Sequence, residues 1–183
     1  MPTTPNKLAA GDVIATRQLD TVSSGPVSVP DPHRMTHLQF RRYAGCPICN
    51  LHLRSFAQRH GELEVAGIRE VAVFHSSTDA MAPYQQTLPF PLIADPQRRL
   101  YREFGVEKSM RSIADPRAWP AVVRGWNRHL APQSDTGEGG HTGLPGDFLI
   151  APDGRIVARK YGTHANDHWS VDDVLAEERR PLQ

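Results

Sequence analysis

The sequence predicts an α/β protein with a central mixed β-sheet flanked by helices. The first half alternates short apolar, β-branched runs with helix-like segments, which asks for parallel strands joined by crossover helices. The second half closes with two strands around a tight turn and a last helix. At 183 residues with a hydrophobic fraction of 39%, the chain can fill one core and carry one long insertion.

Residues 1 to 34, rich in Pro, Ser, Thr and Asp, read as an N-terminal arm with short strands such as Asp12 to Ala15. Residues 35 to 183 read as the main domain. Thr36 to Phe40 alternates and predicts a strand. Pro47 to about Arg59 predicts a helix with Leu51, Leu53 and Phe56 inward. Ile68 to His75 predicts a buried strand, and Ser77-Thr78-Asp79 opens a helix towards Gln86. Pro91 to Ala94 is a short strand, followed by a helix from Gln97 to Phe104 that stops at Gly105. Residues 107 to 143 form an irregular insertion containing Trp119 and Trp126, read as a satellite core, with a helix over Arg117 to Leu130. Asp147 to Ile150 and Arg155 to Tyr161 are strands around the Pro152-Asp153-Gly154 turn. Ser170 caps the last helix, Val171 to Glu178, and Asp172 and Asp173 suit its positive end.

The net charge of +1 and the lack of a basic run point away from nucleic acid. No stretch approaches the roughly 18 apolar residues of a membrane helix. The first ten residues lack the layout of a secretory signal, so a cytoplasmic protein is expected.

The two cysteines lie in one motif, Cys46-Pro47-Ile48-Cys49. A secreted disulfide scaffold spreads its cysteines, whereas a close pair in a reducing compartment is more often redox-active or metal-binding. The strand ends at Phe40 to Tyr43 and the chain turns at Gly45. Cys46 then falls on the helix N-cap and Pro47 on N1, the position that favours proline. Unpaired N–H groups and the positive end of the helix dipole stabilise a thiolate there. Arg41 and Arg42 add positive charge, although alternation sends them to opposite faces. Cys49, one turn on, lies within disulfide reach. Cys46 is preferred as the attacking thiol, because an N-cap is exposed and a position inside the helix is covered. A zinc set would need His52, or His164 with His168, beside the two cysteines. Neither a second CxxC nor a finger-spaced histidine pair follows Cys49, so no metal or cofactor is expected.

The segment from Phe40 to Cys49 resembles the active-site segment of peroxiredoxin-like proteins of the AhpC/TSA group, in particular the peroxiredoxin-like 2 type with CxxC. Gly143 to Gly154 resembles the thioredoxin-like reductase segment that begins with a cis-proline and runs through a strand into an Asp-Gly turn. Together the two stretches imply a thioredoxin-like fold over about residues 35 to 178. The resemblance implies that Pro145 is the cis-proline facing the CxxC, and that Tyr161 to His164 end near Cys46 with His164 as an acid or base. It implies a peroxide or disulfide substrate, a thioredoxin-like or glutathione reductant, and a homodimer. The pattern Pro-x3-Thr-x2-Cys of peroxiredoxins proper is replaced: counting back from Cys46, Gln39 and Tyr43 stand at the proline and threonine positions. For the supporting arginine the candidates are Arg42 and Arg124.

The expectation is therefore a thiol-dependent oxidoreductase, an AhpC/TSA peroxiredoxin-like antioxidant reducing peroxides through Cys46 and Cys49. The alternatives are a protein-disulfide reductase or redox relay, and a zinc-stabilised binding module without catalysis.

Overall fold

The computed structural model describes residues 7–23, 25–106, 120, 123 and 143–180. Their main sheet has five strands in the order β5-β4-β3-β6-β7, with β3 Met35–Phe40, β4 Ile68–Phe74, β5 Leu92–Ala94, β6 Gly146–Ile150 and β7 Ile156–Tyr161. β3, β4 and β5 are mutually parallel, while β6 and β7 are antiparallel to their neighbours. The helices are α1 Pro47–Gln58, α2 His60–Val65, α3 Thr78–Gln85, α4 Arg99–Glu103 and α5 Val171–Glu178. The predicted thioredoxin-like α/β fold with a mixed sheet is what forms.

In the arm, β1 Arg17–Leu19 pairs antiparallel with β2 Val27–Val29. The strand expected at Asp12 to Ala15 is reduced to one bridge, Val13 to Arg155. Gly154 lies at φ 89°, and a Cβ there would stand 2.3 Å from the Ile14 carbonyl oxygen. That close approach lets the arm lie along the start of β7, with the Ile14 N–H donating to the Gly154 carbonyl at 2.9 Å. The expected helix over Arg117 to Leu130 has helical, exposed residues at Pro120 and Val123. The rest of it, with Trp119, Trp126 and Arg124, lies outside the described residues.

The two faces of the sheet differ. On one, Leu38, Phe40, Val71, Val73 and Phe148 pack against α4 and the arm in an apolar layer. Here Phe40 meets Tyr101, Phe104 and Phe148 at centroid distances of 5.0 to 5.7 Å. The opposite face of β3 carries His37, Gln39 and Arg41, all at 0% exposure. Alternation alone would set this row in solvent. Instead α1 and α5 cover it, and acids from the neighbouring strands meet it. α1 turns His52 inward with Leu53 and Phe56, while Leu51, expected to face the core, is only half-buried.

The buried row forms one hydrogen-bonded set. His37 Nδ1 lies 2.8 Å from Glu70 Oε1, and its Nε2 lies 3.2 Å from Asp147 Oδ1. Gln39 donates to Glu70 Oε2 at 2.6 Å and accepts from Arg41 Nε at 2.8 Å. Arg41 Nη2 reaches Asp147 Oδ1 at 2.6 Å and His52 Nε2 at 2.9 Å. The Trp169 N–H donates to Asp147 Oδ2 at 3.2 Å. β3, β4, β6, α1 and the start of α5 are thus joined by polar contacts inside the core.

Burial alone would lower the His37 imidazole, but the Glu70 and Asp147 carboxylates outweigh it and raise the ring to about 9. Asp147 is held well below the usual carboxylate range, because Arg41 and His37 overcome the cost of its burial. His52 and His168, whose ring centroids are 3.7 Å apart, go the other way. Burial and the cationic Arg41 lower His168 to about 4 and push His52 well below its ordinary value.

Two predictions follow from this set. Asp147→Ala strands Arg41 and His37 without their shared acceptor, and denaturant unfolding should show a loss of about 3 to 5 kcal/mol. The second concerns acid. His52 and His168 stay neutral in the fold while their unfolded counterparts take up protons below about pH 6.5. The unfolded state then binds more protons, so stability falls as pH drops from 6.5 towards 4, by up to about 1.4 kcal/mol per pH unit per histidine. Unfolding midpoints measured across that window should show this slope, and His168→Leu should flatten it.

Candidate active site

The chain leaves β3 at Arg41 and turns before α1. The turn is closed by the Cys46 N–H donating to the Tyr43 carbonyl at 3.1 Å, and the Ala44 N–H donates to Ser76 Oγ at 2.9 Å just past the end of β4. Cys46 is the N-cap of α1 with φ −65° and ψ 114°, and Pro47 follows in the first turn. The Cys49 N–H donates to Cys46 Sγ at 3.5 Å. Arg42 Nη1 lies 3.6 Å from the same sulfur, and its guanidinium sits over the Tyr43 ring at 5.4 Å.

Cys46 is at 0% exposure and Cys49 at 3%, both as free cysteines. The expected contrast between an exposed N-cap and a covered inner position is therefore corrected: the turn from Tyr43 to Gly45 is itself buried and draws Cys46 under it. The two thiols are distinguished by their donors instead. Burial pushes the Cys46 thiol up. A hydrogen bond from the Cys49 thiol, the Arg42 charge and the N–H groups of Cys49 and Ile48 outweigh it and bring Cys46 to about 6. Cys49 is driven well above the ordinary thiol range by burial and by the Cys46 sulfur it serves, an effect that Arg42, through its charge and its main-chain N–H, only partly offsets. At neutral pH the dithiol carries one negative charge, on Cys46.

Arg41 and Arg42 do point to different places: Arg41 into the buried set, Arg42 to the thiolate. Pro145 leads into β6, whose Gly146 pairs with Phe40, so it stands at the same end of the sheet as the thiols. Its peptide bond is trans. Among the described residues the cis bond is Val29–Pro30 in the arm. The expected cis geometry at Pro145 is corrected, and the trans bond lets the chain run directly into β6 while the Pro145 carbonyl accepts the Gly162 N–H at 2.9 Å.

His164 lies half-buried in the turn after β7, and its Nδ1 accepts the Asn166 N–H at 3.3 Å. No hydrogen bond or ring contact among the described residues joins it to either thiol. Nor do the described residues gather three His, Cys, Asp or Glu side chains as a ligand group. His52 is committed to Arg41 and His168 rather than to the cysteines.

His75 and Ser76 went unnoticed in the sequence. His75 is fully buried past the end of β4, donates its main-chain N–H to the Arg42 carbonyl at 3.3 Å, and stands edge-on to Tyr101 at 5.7 Å. A Cβ on Gly143 would meet His75 Nε2 at 3.0 Å and Arg42 Cγ at 3.7 Å. Their signal was positional: they follow the carboxyl end of a buried parallel strand, where open α/β sheets collect their sites.

A sequence profile for the family described as AhpC/TSA antioxidant enzyme matches residues 55–164. The match begins past both cysteines, so it is independent of the CxxC motif. A Mycobacterium tuberculosis protein assigned as a peroxiredoxin is 23% identical over 169 residues, covering 91% of this chain and 93% of that one. Among solved structures, peroxidoxin BcpB of Mycobacterium tuberculosis is similar with TM-score 0.67 at 17% identity, over 93% of this chain and 96% of the other. Peroxiredoxin Q of Xanthomonas campestris gives 0.63 at 18%, over 89% of each chain. A protein assigned as the thiol:disulfide interchange protein DsbE of Chlorobium tepidum gives 0.61 at 20%, over 94% and 99%. These structural likenesses establish the fold.

The Arg42 contact sets the prediction here. Arg42→Met keeps the stem but removes the cation beside Cys46. The Cys46 pKa, read from thiolate ultraviolet absorbance against pH, should rise by about 1 to 2 units.

Proposed function

Since the chain belongs to the AhpC/TSA antioxidant enzyme family, we propose that it reduces peroxides through the Cys46–Cys49 dithiol. It is a thiol-dependent oxidoreductase; the proposal concerns its substrate and the roles of its residues. The observation that carries it is the buried Cys46 sulfur, held as a thiolate by Arg42 and by the N–H groups of the first turn of α1.

In this mechanism the Cys46 thiolate attacks one peroxide oxygen. The O–O bond breaks, the sulfur becomes a sulfenic acid, and the other oxygen leaves as an alcohol or water. Cys49 then attacks the Cys46 sulfur, expels the hydroxyl group and closes the disulfide. An external dithiol, or glutathione, returns both cysteines to the thiol state by exchange.

A second reading is dithiol–disulfide exchange with a protein partner. It is favoured by Gln39 and Tyr43, which stand at the family's proline and threonine positions. Full burial of Cys46 speaks for a small oxidant instead.

Intact mass after one equivalent of hydrogen peroxide, followed against time, separates the two. The lowered pKa alone gives little advantage over a free cysteine peptide: a larger thiolate fraction, offset by weaker intrinsic nucleophilicity, leaves a gain of only about 2-fold at pH 7. Loss of two hydrogens at least about 100-fold faster than peptide oxidation is expected, because orienting the peroxide adds to that gain. Cys46→Ser should abolish it. Oxidation at the peptide's rate would exclude the peroxidase reading and leave disulfide exchange.

A further inference from the structure

We propose that Tyr43 is a positioning residue for the sulfur chemistry: the face of its ring holds the Arg42 guanidinium against Cys46 Sγ, so that the cation is in place before an oxidant arrives. This rests on the reading of Cys46 as the attacking thiolate and adds what keeps its counter-charge there.

Three contacts meet at Tyr43. The Arg42 guanidinium carbon lies over the Tyr43 ring, 5.4 Å from its centroid. A cation at that distance is drawn to the negative face of an aromatic ring. The same guanidinium places Nη1 3.6 Å from Cys46 Sγ. The Tyr43 carbonyl accepts the Cys46 N–H at 3.1 Å and so closes the turn that carries the sulfur. One residue therefore meets the cation with its ring and the cysteine with its main chain, and the separation of cation and sulfur is referred to it at both ends.

All three side chains are withdrawn from water, with exposures of 8% for Tyr43, 5% for Arg42 and 0% for Cys46. The attraction between a cation and a ring is stronger where the cation is desolvated. It also offsets the entropy lost when a long arginine side chain is held in one conformation. Other contacts act on other parts of Arg42. Its carbonyl accepts the His75 N–H at 3.3 Å, and the backbone at Gly143 passes so close that a Cβ there would stand 3.7 Å from Arg42 Cγ. Those contacts restrain the main chain and the stem. The ring meets the charged end, the part the sulfur feels.

The gain is preorganisation. As the thiolate attacks, negative charge moves from the sulfur towards the leaving oxygen, and a cation fixed in advance stabilises it without rearranging. Tyr43 stands at the position that holds threonine in peroxiredoxins proper. Here the residue acts through its ring, on the cation, and that action does not need the hydroxyl.

The test is a titration of the Cys46 thiolate by its ultraviolet absorbance, which needs no oxidant. Tyr43→Leu removes the ring and keeps an apolar side chain. It should raise the Cys46 pKa by about 0.5 to 1 unit, a part of the rise expected for Arg42→Met. Tyr43→Phe, which keeps the aromatic face, should stay within about 0.2 units of wild type. In an Arg42→Met background Tyr43→Leu should have almost no effect, because a residue that acts through the cation has nothing left to hold. If Tyr43→Leu fails to fold by circular dichroism, replacement of Tyr43 by pentafluorophenylalanine, a ring of similar shape without the negative face, should give the same rise. No shift on loss of the ring or its negative face, an equal shift in both backgrounds, or a Tyr43→Phe shift as large as that of Tyr43→Leu overturns the inference. The hydrogen peroxide experiment above fails separately: oxidation at the peptide's rate removes the peroxidase reading and leaves the titration to decide the role of Tyr43.

Discussion

Two cationic and two acidic side chains lie beneath α1, cut off from water. His37, Arg41, Glu70 and Asp147 come from three adjacent strands, and each is at 0% exposure. Placing isolated charges there would be prohibitive, and the arrangement survives because nearly every donor meets an acceptor within the set. Such a set contributes little net stability over an apolar packing, but it tolerates few alternative registers. Sliding β3 by one residue against β4 would carry His37 and Arg41 into the layer of Phe40 and Phe148 and leave the acids unmatched. The register of β3 in turn fixes where Arg42 emerges, and Arg42 is one of the groups that hold the charge on Cys46.

The site inherits this order through short links. Arg41 anchors in the buried set while Arg42, its neighbour in the chain, addresses the thiolate. Tyr101, reaching through from the apolar layer, bonds the Arg41 and Val73 carbonyls where β3 and β4 end. Ser76 holds the turn that leads into α1. The geometry at Cys46 is therefore set by elements on both faces of the sheet, and the helix N-terminus supplies only part of the field the sulfur feels.

Much of this was legible in the sequence, for identifiable reasons. Periodicity located the strands from Met35 to Tyr161 and the helices α1, α3, α4 and α5 to within a residue or two. Gly-Cys-Pro-Ile-Cys after a strand placed Cys46 on an N-cap, because proline at N1 and a thiol one residue earlier are local requirements. What failed depends on partners distant in the chain. Alternation gives His37, Gln39 and Arg41 a face of their own but not its burial, which depends on Glu70 and Asp147 across the sheet. His52 looked like a spare ligand and Leu51 like the core residue, since the rotation of α1 is set by Arg41 beneath it. The cis-proline was carried over from a similar segment, and here the backbone entering β6 is trans. Between the two arginines, alternation showed that they diverge but not which one meets the sulfur.

The stitch between the arm and β7 bears on a different property. Among the described residues β7 is the edge of the main sheet, and an open edge is a template for pairing with another chain. Gly11 and Asp12 exchange main-chain bonds with Ile156, and Ile14 takes the Gly154 carbonyl. The arm thereby occupies the hydrogen-bonding positions at the start of that edge. Its contacts span more than a hundred residues of sequence, so the closure waits until Ile156 has been made. Until it forms, the start of β7 is an unguarded β-edge, so protection against pairing with another chain there depends on a segment far from the sulfur chemistry.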